Sequence, residues 1–229
     1  MNRAYTFACL FASLLFVAPP VLAQPGGGGG FGGRGVQLTE DETKAAWKLE
    51  VQTIAASLHV DDQNAIDTIT KAYAKARMAM AADQRNLFAQ MRGGGGGEGG
   101  FAAMRDKFVA LRTKHRNALH DSLGDVLNGQ QLDEAMRTLG SFSELWDVMI
   151  HTVAGFGLKA DSQRKALQAV AVFVGQTGAA RDMGAIDTAR ASFKAAMHDA
   201  GLDDDQVAEV TRFTQLRRGG RGGGRGRGG

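Results

Sequence analysis

Residues 60–91 read VDDQNAIDTITKAYAKARMAMAADQRNLFAQM, and this stretch decides the fold. Its apolar residues recur at alternating spacings of three and four, which is typical of the coiled-coil seam of a helix that packs against another helix. The seam consists of Ile66, Ile69, Tyr73, Ala76 and Met80, and it continues less regularly through Leu87, Phe88 and Met91. We therefore predict a long helix that glycines 93–97 end.

A second seam follows the glycine tract with the same alternation of three and four. It consists of Phe101, Met104, Phe108, Leu111, His115, Ala118 and Ser122. Residues 93–100 between the seams are seven glycines and Glu98, which lose too much backbone entropy to order readily. Two seams joined by a flexible loop predict an antiparallel helical hairpin over about 61–126, with arms roughly 40–45 Å long.

Glycine and proline are distributed so unevenly that the rest of the chain is also predicted to be helical. Of 32 glycines in 229 residues, most lie in three tracts at 26–35, 93–100 and 219–229, and all 3 prolines precede residue 26. A proline inside a helix costs about 3 kcal/mol, so their absence from the body favours helices over a β-domain with many turns. The glycines have no period of three, which excludes collagen. We expect an all-α fold with seven or eight helices.

Three short motifs mark helix starts, because a capping side chain precedes Glu or Gln by three residues. They are Thr39 with Glu42, Asn128 with Gln131, and Asp203 with Gln206. The first predicts a helix over about 40–57, and Ser143 before Glu144 reads as a further N-cap. The predicted organisation is a glycine-rich linker at 24–37, a hairpin domain at 38–140 with its loop at 93–100, a small helical bundle at 141–216, and a disordered tail at 217–229.

The N-terminus has the pattern of a secretory signal peptide. Arg3 precedes an apolar run from Ala4 to Ala18, and small residues stand at the positions expected before cleavage after Ala23. The run is too short to span a bilayer comfortably, so we expect no membrane span after processing. Cys9 is the only cysteine and lies within residues 1–23, so the mature chain has no thiol or disulfide. We expect a bacterial periplasmic or secreted protein.

The net positive charge of the chain comes from arginines near its two ends. The formal net charge is +3, but the region without Arg3, Arg34 and the tail arginines is acidic. The tail arginines, which are candidates for binding a polyanion, are Arg217, Arg218, Arg221, Arg225 and Arg227. Arg-Gly segments bind single-stranded nucleic acid through phosphate contacts and stacking, whereas the simpler reading is a solvated tail that contacts anionic envelope material weakly.

Candidate metal and catalytic residues have the wrong spacing for those roles. Among the five histidines, His115 and His120 are five residues apart, whereas a zinc pair on one helix face needs three or four. His115 falls on the seam and is expected to be a partly buried, hydrogen-bonded residue whose protonation would loosen the hairpin in acid. Met78 and Met80 point in different directions, and the methionines are expected mainly in the core. The chain has no nucleophile elbow, zinc-protease motif or phosphate loop, so we expect no enzyme, cofactor or metal.

The helix starts carry a resemblance to a known family. Leu127 to Gln131 and Leu202 to Gln206 have the spacing of the repeated L-T-x-x-Q motif of the Spy and CpxP family of periplasmic proteins, and Leu38 is followed by Thr39. Asn128 and Asp203 stand where that family usually has Thr or Ser. The resemblance implies a helical, often dimeric, ATP-independent holdase or an accessory protein of envelope stress.

Two classes of function follow from these observations. The first is a chaperone-like protein that shields unfolded or partly folded envelope proteins with the hairpin surface, using Phe88, Met91, Met104 and Phe108 near the tip and neighbouring Lys and Arg for steering. The second is a structural or scaffolding module whose Arg-Gly tail binds an anionic polymer or nucleic acid. Formation of a homodimer is left open in both.

Overall fold

The computed structural model describes residues 38–93, 100–179 and 182–215, with side chains except at 91–93, 100–103, 179 and 213–215. Within these ranges the chain is all-α, as predicted, with eight α-helices, a 3-10 turn and no strand. The elements are α1 (Glu40–Ser57), α2 (Gln63–Gly93), α3 (Gly100–Gly124), α4 (Gly129–Thr138), the 3-10 turn Leu139–Ser141, α5 (Glu144–Gly155), α6 (Ala160–Ala179), α7 (Met183–Asp199) and α8 (Asp204–Gln215). The proposed signal peptide, the linker, most of the glycine loop and the Arg-Gly tail lie outside the described residues.

The three predicted capping boxes are present, and they fix where α1, α4 and α8 begin. In each box the capping side chain accepts a hydrogen bond from the backbone N–H three residues later, and the Glu or Gln side chain accepts one in return. The two distances are 3.3 and 2.7 Å for Thr39 with Glu42, 3.0 and 3.2 Å for Asn128 with Gln131, and 2.8 and 3.1 Å for Asp203 with Gln206. Ser143 is the N-cap of α5, but its side chain makes no capping hydrogen bond.

The predicted hairpin is confirmed, since α2 and α3 run antiparallel and pack along each other. At 1.5 Å per residue, the 31 residues of α2 extend about 45 Å. The predicted seam of α2 is confirmed, because Ile66 is half-buried and the later members up to Met80 are buried. The seam of α3 is wrong after His115, because Ala118 and Ser122 are exposed. Leu119 and Leu123 are buried instead, since the base of α3 also packs against α4 and the 3-10 turn.

All eight helices contribute to one hydrophobic core. Trp146, Met149, Ile150 and Val153 on α5 are fully buried at its centre. The helix α1 packs against α5 and α6 as well as α2, so residues on both sides of position 140 share that core. The base of the hairpin is held by α1, which packs on α2, and by α4 and the 3-10 turn, which pack on α3.

Four polar side chains form a buried network where α1, α2 and α5 meet. The Tyr73 hydroxyl donates to Glu50 Oε2 at 2.6 Å and accepts from Arg77 Nη1 at 3.1 Å. The other terminal nitrogen of Arg77 pairs with Asp147 Oδ2. The guanidinium also lies over the ring of Trp47, 5.1 Å from its centroid, which adds a cation–π contact. This network crosslinks three helices inside the core.

Candidate functional site

The part of the hairpin that extends beyond the shared core is the candidate site. We define the distal arm as residues 81–93 of α2 and 100–114 of α3. Among the described side chains, those buried on α2 lie at or before Met80, and those buried on α3 lie at or after His115. At 1.5 Å per residue, the 13 residues of α2 in the arm extend about 20 Å past that boundary.

A polar clamp joins the two helices at the base of the distal arm. Asp83 Oδ2 accepts from Lys114 Nζ at 2.9 Å and lies 3.0 Å from Nε2 of His115. Hydrogen bonds from Lys114 and then His115 lower the pKa of the Asp83 carboxyl below its usual value. His115 is buried and hydrogen-bonded, which confirms its predicted place on the seam.

The structure brings together two of the four apolar residues proposed from sequence as contacts for a client. The rings of Phe88 on α2 and Phe108 on α3 pack at a centroid distance of 5.1 Å with a tilt of 52°. Both rings are half-buried, as is the side chain of Met104. The side chain of Met91 lies outside the described residues. The arm is thus held together by an aromatic pair of half-buried rings.

A shallow groove runs along the distal arm between the two helices. Its apolar floor includes Leu87 and Leu111, both half-buried. Polar and charged side chains border it, and the lining residues are Asp83, Asn86, Leu87, Gln90, Lys107, Ala110, Leu111 and Lys114. The sequence placed Leu87 and Leu111 on the seams and led us to expect neighbouring Lys and Arg, but it did not single out Lys107 and Lys114. Their spacing of seven residues, two helical turns, was the signal that places them on one face.

The distal arm differs in charge from the rest of the helical region. Residues 81–114 contain six basic and three acidic residues, whereas the remainder of 36–216 contains fourteen basic and twenty-one acidic residues. Arg105 and Lys114 are largely exposed, at 75% and 67% of their side-chain area. A basic arm on an acidic body attracts anionic groups to the arm at low and moderate salt.

The remaining sequence candidates do not converge on a second site. In the described ranges, no group of three or more His, Cys, Asp or Glu side chains is arranged to hold a metal ion. Met80, Met136, Met149 and Met197 are buried, whereas Met78 and Met183 are 48% and 53% exposed, so the expectation of methionines mainly in the core is wrong for these two. Met78 and Met80 therefore differ in burial. The two side chains point in different directions, as predicted from their spacing. Arg217, Arg218, Arg221, Arg225 and Arg227 lie outside the described residues.

Comparisons with family models, curated proteins and solved structures found no match to this chain. In the described part of the structure, no helix is both long enough and apolar enough to cross a membrane.

Proposed function

We propose that this protein is an exported, non-enzymatic, chaperone-like or envelope-stress accessory protein that binds unfolded or partly folded clients with its distal arm. One observation carries the proposal: a two-helix arm with an apolar seam and basic borders extends past the core without a buried side chain among those described. The added length provides surface rather than core.

The groove of the distal arm suits an extended polypeptide segment. Apolar side chains of a client would lie on the half-buried side chains of the groove and the aromatic pair, removing apolar surface from water at about 25 cal/mol per Å². These side chains are Leu87, Leu111, Phe88 and Phe108. Each such contact contributes little, so binding is weak enough to release a client without ATP. Lys107 and Lys114 at the border would steer anionic segments toward the groove.

The sequence supports export and the chaperone-like class. Residues 1–23 have the features of a signal peptide, and cleavage after Ala23 would leave Gln24 as the first residue of the mature protein. The spacing of Leu127 with Gln131 and of Leu202 with Gln206 resembles the Spy and CpxP motif. N-terminal sequencing of the protein from a periplasmic extract of a bacterial host tests the export step.

An aggregation assay tests the function. A client that aggregates on dilution from denaturant is followed by light scattering with one to two equivalents of the mature protein. We expect the protein to suppress scattering, and we expect the double variant Phe88→Ser and Phe108→Ser to lose most of that effect. Val172→Ser is the matched control, since Val172 is 58% exposed on α6, outside the arm. Circular dichroism confirms that each variant remains helical.

The scaffold hypothesis predicts the opposite pattern in the same assay. If the protein leaves client aggregation unchanged, and deletion of residues 217–229 abolishes binding to a polyanion such as heparin, the chaperone-like proposal is wrong. If the deletion leaves client protection intact and the arm variants remove it, the tail is not the functional element.

A further inference from the structure

The buried network at the base of the hairpin contains one more acidic side chain than basic side chains. Glu50 and Asp147 bring two carboxyl groups, and Arg77 brings one guanidinium. Burial alone would lower the pKa of Arg77, but the neighbouring Tyr73, Asp147 and Glu50 hold it above the usual range. With both carboxyls ionised, the network would carry an uncompensated negative charge away from water, which is strongly unfavourable.

The hydrogen bonds indicate which carboxyl oxygens can bind the proton that would balance the charge. The Tyr73 hydroxyl proton is committed to Oε2 of Glu50, because Arg77 occupies the acceptor side of that hydroxyl. Within the described residues, Oε1 of Glu50 and Oδ1 of Asp147 are both buried and receive no hydrogen bond. The two carboxyls lie within hydrogen-bond reach of each other, so a single proton held between them supplies the missing donor and neutralises the network.

We propose that Glu50 and Asp147 share one proton inside the folded protein, carried mainly on Oε1 of Glu50, and that this proton makes the junction of α1, α2 and α5 sensitive to pH. Asp147 is the less suitable carrier, because its other oxygen is paired with Arg77. In agreement, burial raises the pKa of Glu50 well above its usual value, the charge of Asp147 raises it further, and Arg77 only partly opposes them.

The other charged groups at this junction lie further out. On α5, His151 lies 3.8 Å from Glu42 of α1 at a partly exposed position. On α6, the third helix packed on α1, Arg164 borders a surface groove beside Thr53 and is 60% exposed. The groups that act on Glu50 are Asp147, Arg77 and Tyr73.

The direction of the pH effect follows from the proton count. The folded state binds one more proton than the unfolded state between the ordinary carboxyl pKa, about 4.3, and the raised pKa of Glu50. Stability therefore falls as pH rises through that window. The equilibrium constant for unfolding rises by up to tenfold per pH unit. Above the raised pKa, the two carboxylates face one guanidinium and the dependence ends.

Urea unfolding of the full-length mature protein between pH 5 and 8 tests this proton, with Glu50→Gln as the main variant. Gln keeps an acceptor for Tyr73 and offers an amide donor to Asp147, so it mimics the protonated carboxyl. We expect the unfolding constant of the wild type, divided by that of Glu50→Gln, to rise by up to tenfold for each unit of increasing pH. The wild type divided by Asp147→Asn should show the same rise. His151→Asn, at the outer edge of the same interface, should leave the wild-type trend in place.

Parallel pH profiles for the wild type and both network variants would overturn the proposal. A measurement on the wild type alone covers the case in which the variants fail to fold. Its infrared spectrum, recorded from pH 5 to 8, should contain the C=O stretch of a protonated carboxyl that is lost on unfolding at the same pH. If that band is absent from the folded protein, no shared proton exists.

Discussion

Replacing Gln131 by Ala should destabilise the protein more than removal of an ordinary helix cap. Gln131 Oε1 accepts from the Asn128 N–H at 3.2 Å, which closes the capping box of α4, while Nε2 donates to the carbonyl oxygen of Leu58 at 3.1 Å. Leu58 is the C-cap of α1, so one side chain joins the end of α1 to the start of α4. Each bond contributes about 1 kcal/mol, so Gln131→Ala should lower the free energy of unfolding by about 2 kcal/mol.

The matched control is Gln206→Ala. Gln206 is also half-buried and closes the equivalent box of α8 with Asp203 at 3.1 Å, but no bond to another helix is found for it in the described part of the chain. Its loss should cost about 1 kcal/mol. Urea unfolding followed by helical circular dichroism gives both values. Equal losses for the two variants would refute the reasoning that Gln131 ties α1 to α4.

Three further predictions concern single positions. Gly201 has φ of +90°, so Gly201→Ala should lower stability by about 1–2 kcal/mol in thermal melts, whereas Gly129→Ala, where a Cβ meets nothing within 4 Å, should be neutral or stabilising. The pKa of Asp83 is lowered in the fold, so its contribution to the free energy of unfolding is present at neutral pH and is lost as pH falls below about 4. The stabilities from urea melts at pH 3 and pH 7 should therefore differ less for Asp83→Asn than for the wild type. Asp182 caps α7 through a 2.8 Å bond to a backbone N–H, and Asp182→Ala should cost about 1 kcal/mol and speed hydrogen exchange in the first turn of α7.

The elements that sequence predicted well are those that local chemistry determines. The bounds of α1 and the starts of α4 and α8 follow from capping residues within four positions of each helix. The seam of α2 follows from the period of its apolar residues, and the antiparallel hairpin follows from the glycine tract. None of these features requires knowledge of which helices meet in the core.

The features that sequence missed depend on contacts between distant segments. Phe142 has a positive φ of 48° and is buried against Tyr73, with ring centroids 6.3 Å apart, so its conformation is set by α2 rather than by its neighbours in the chain. The sequence singled out neither Glu50 nor Asp147 as a core residue, because carboxylates are seldom buried. A signal was present for Glu50, which lies three residues after Trp47 and four before Ile54, on the apolar face of α1. Asp147 had no such signal, since its partner is seventy residues away on α2.

Photo-crosslinking tests the central claim, that the distal arm is the surface on which clients bind. A benzophenone side chain is placed either at Val109 on the arm or at Val172 on α6, two valines with nearly equal exposure of 60% and 58%. Each protein is irradiated with an unfolded client and with the same client folded. We expect crosslinks to the unfolded client from position 109, and few from position 172 or to the folded client. Equal crosslinking from both positions, or none from position 109, would contradict it.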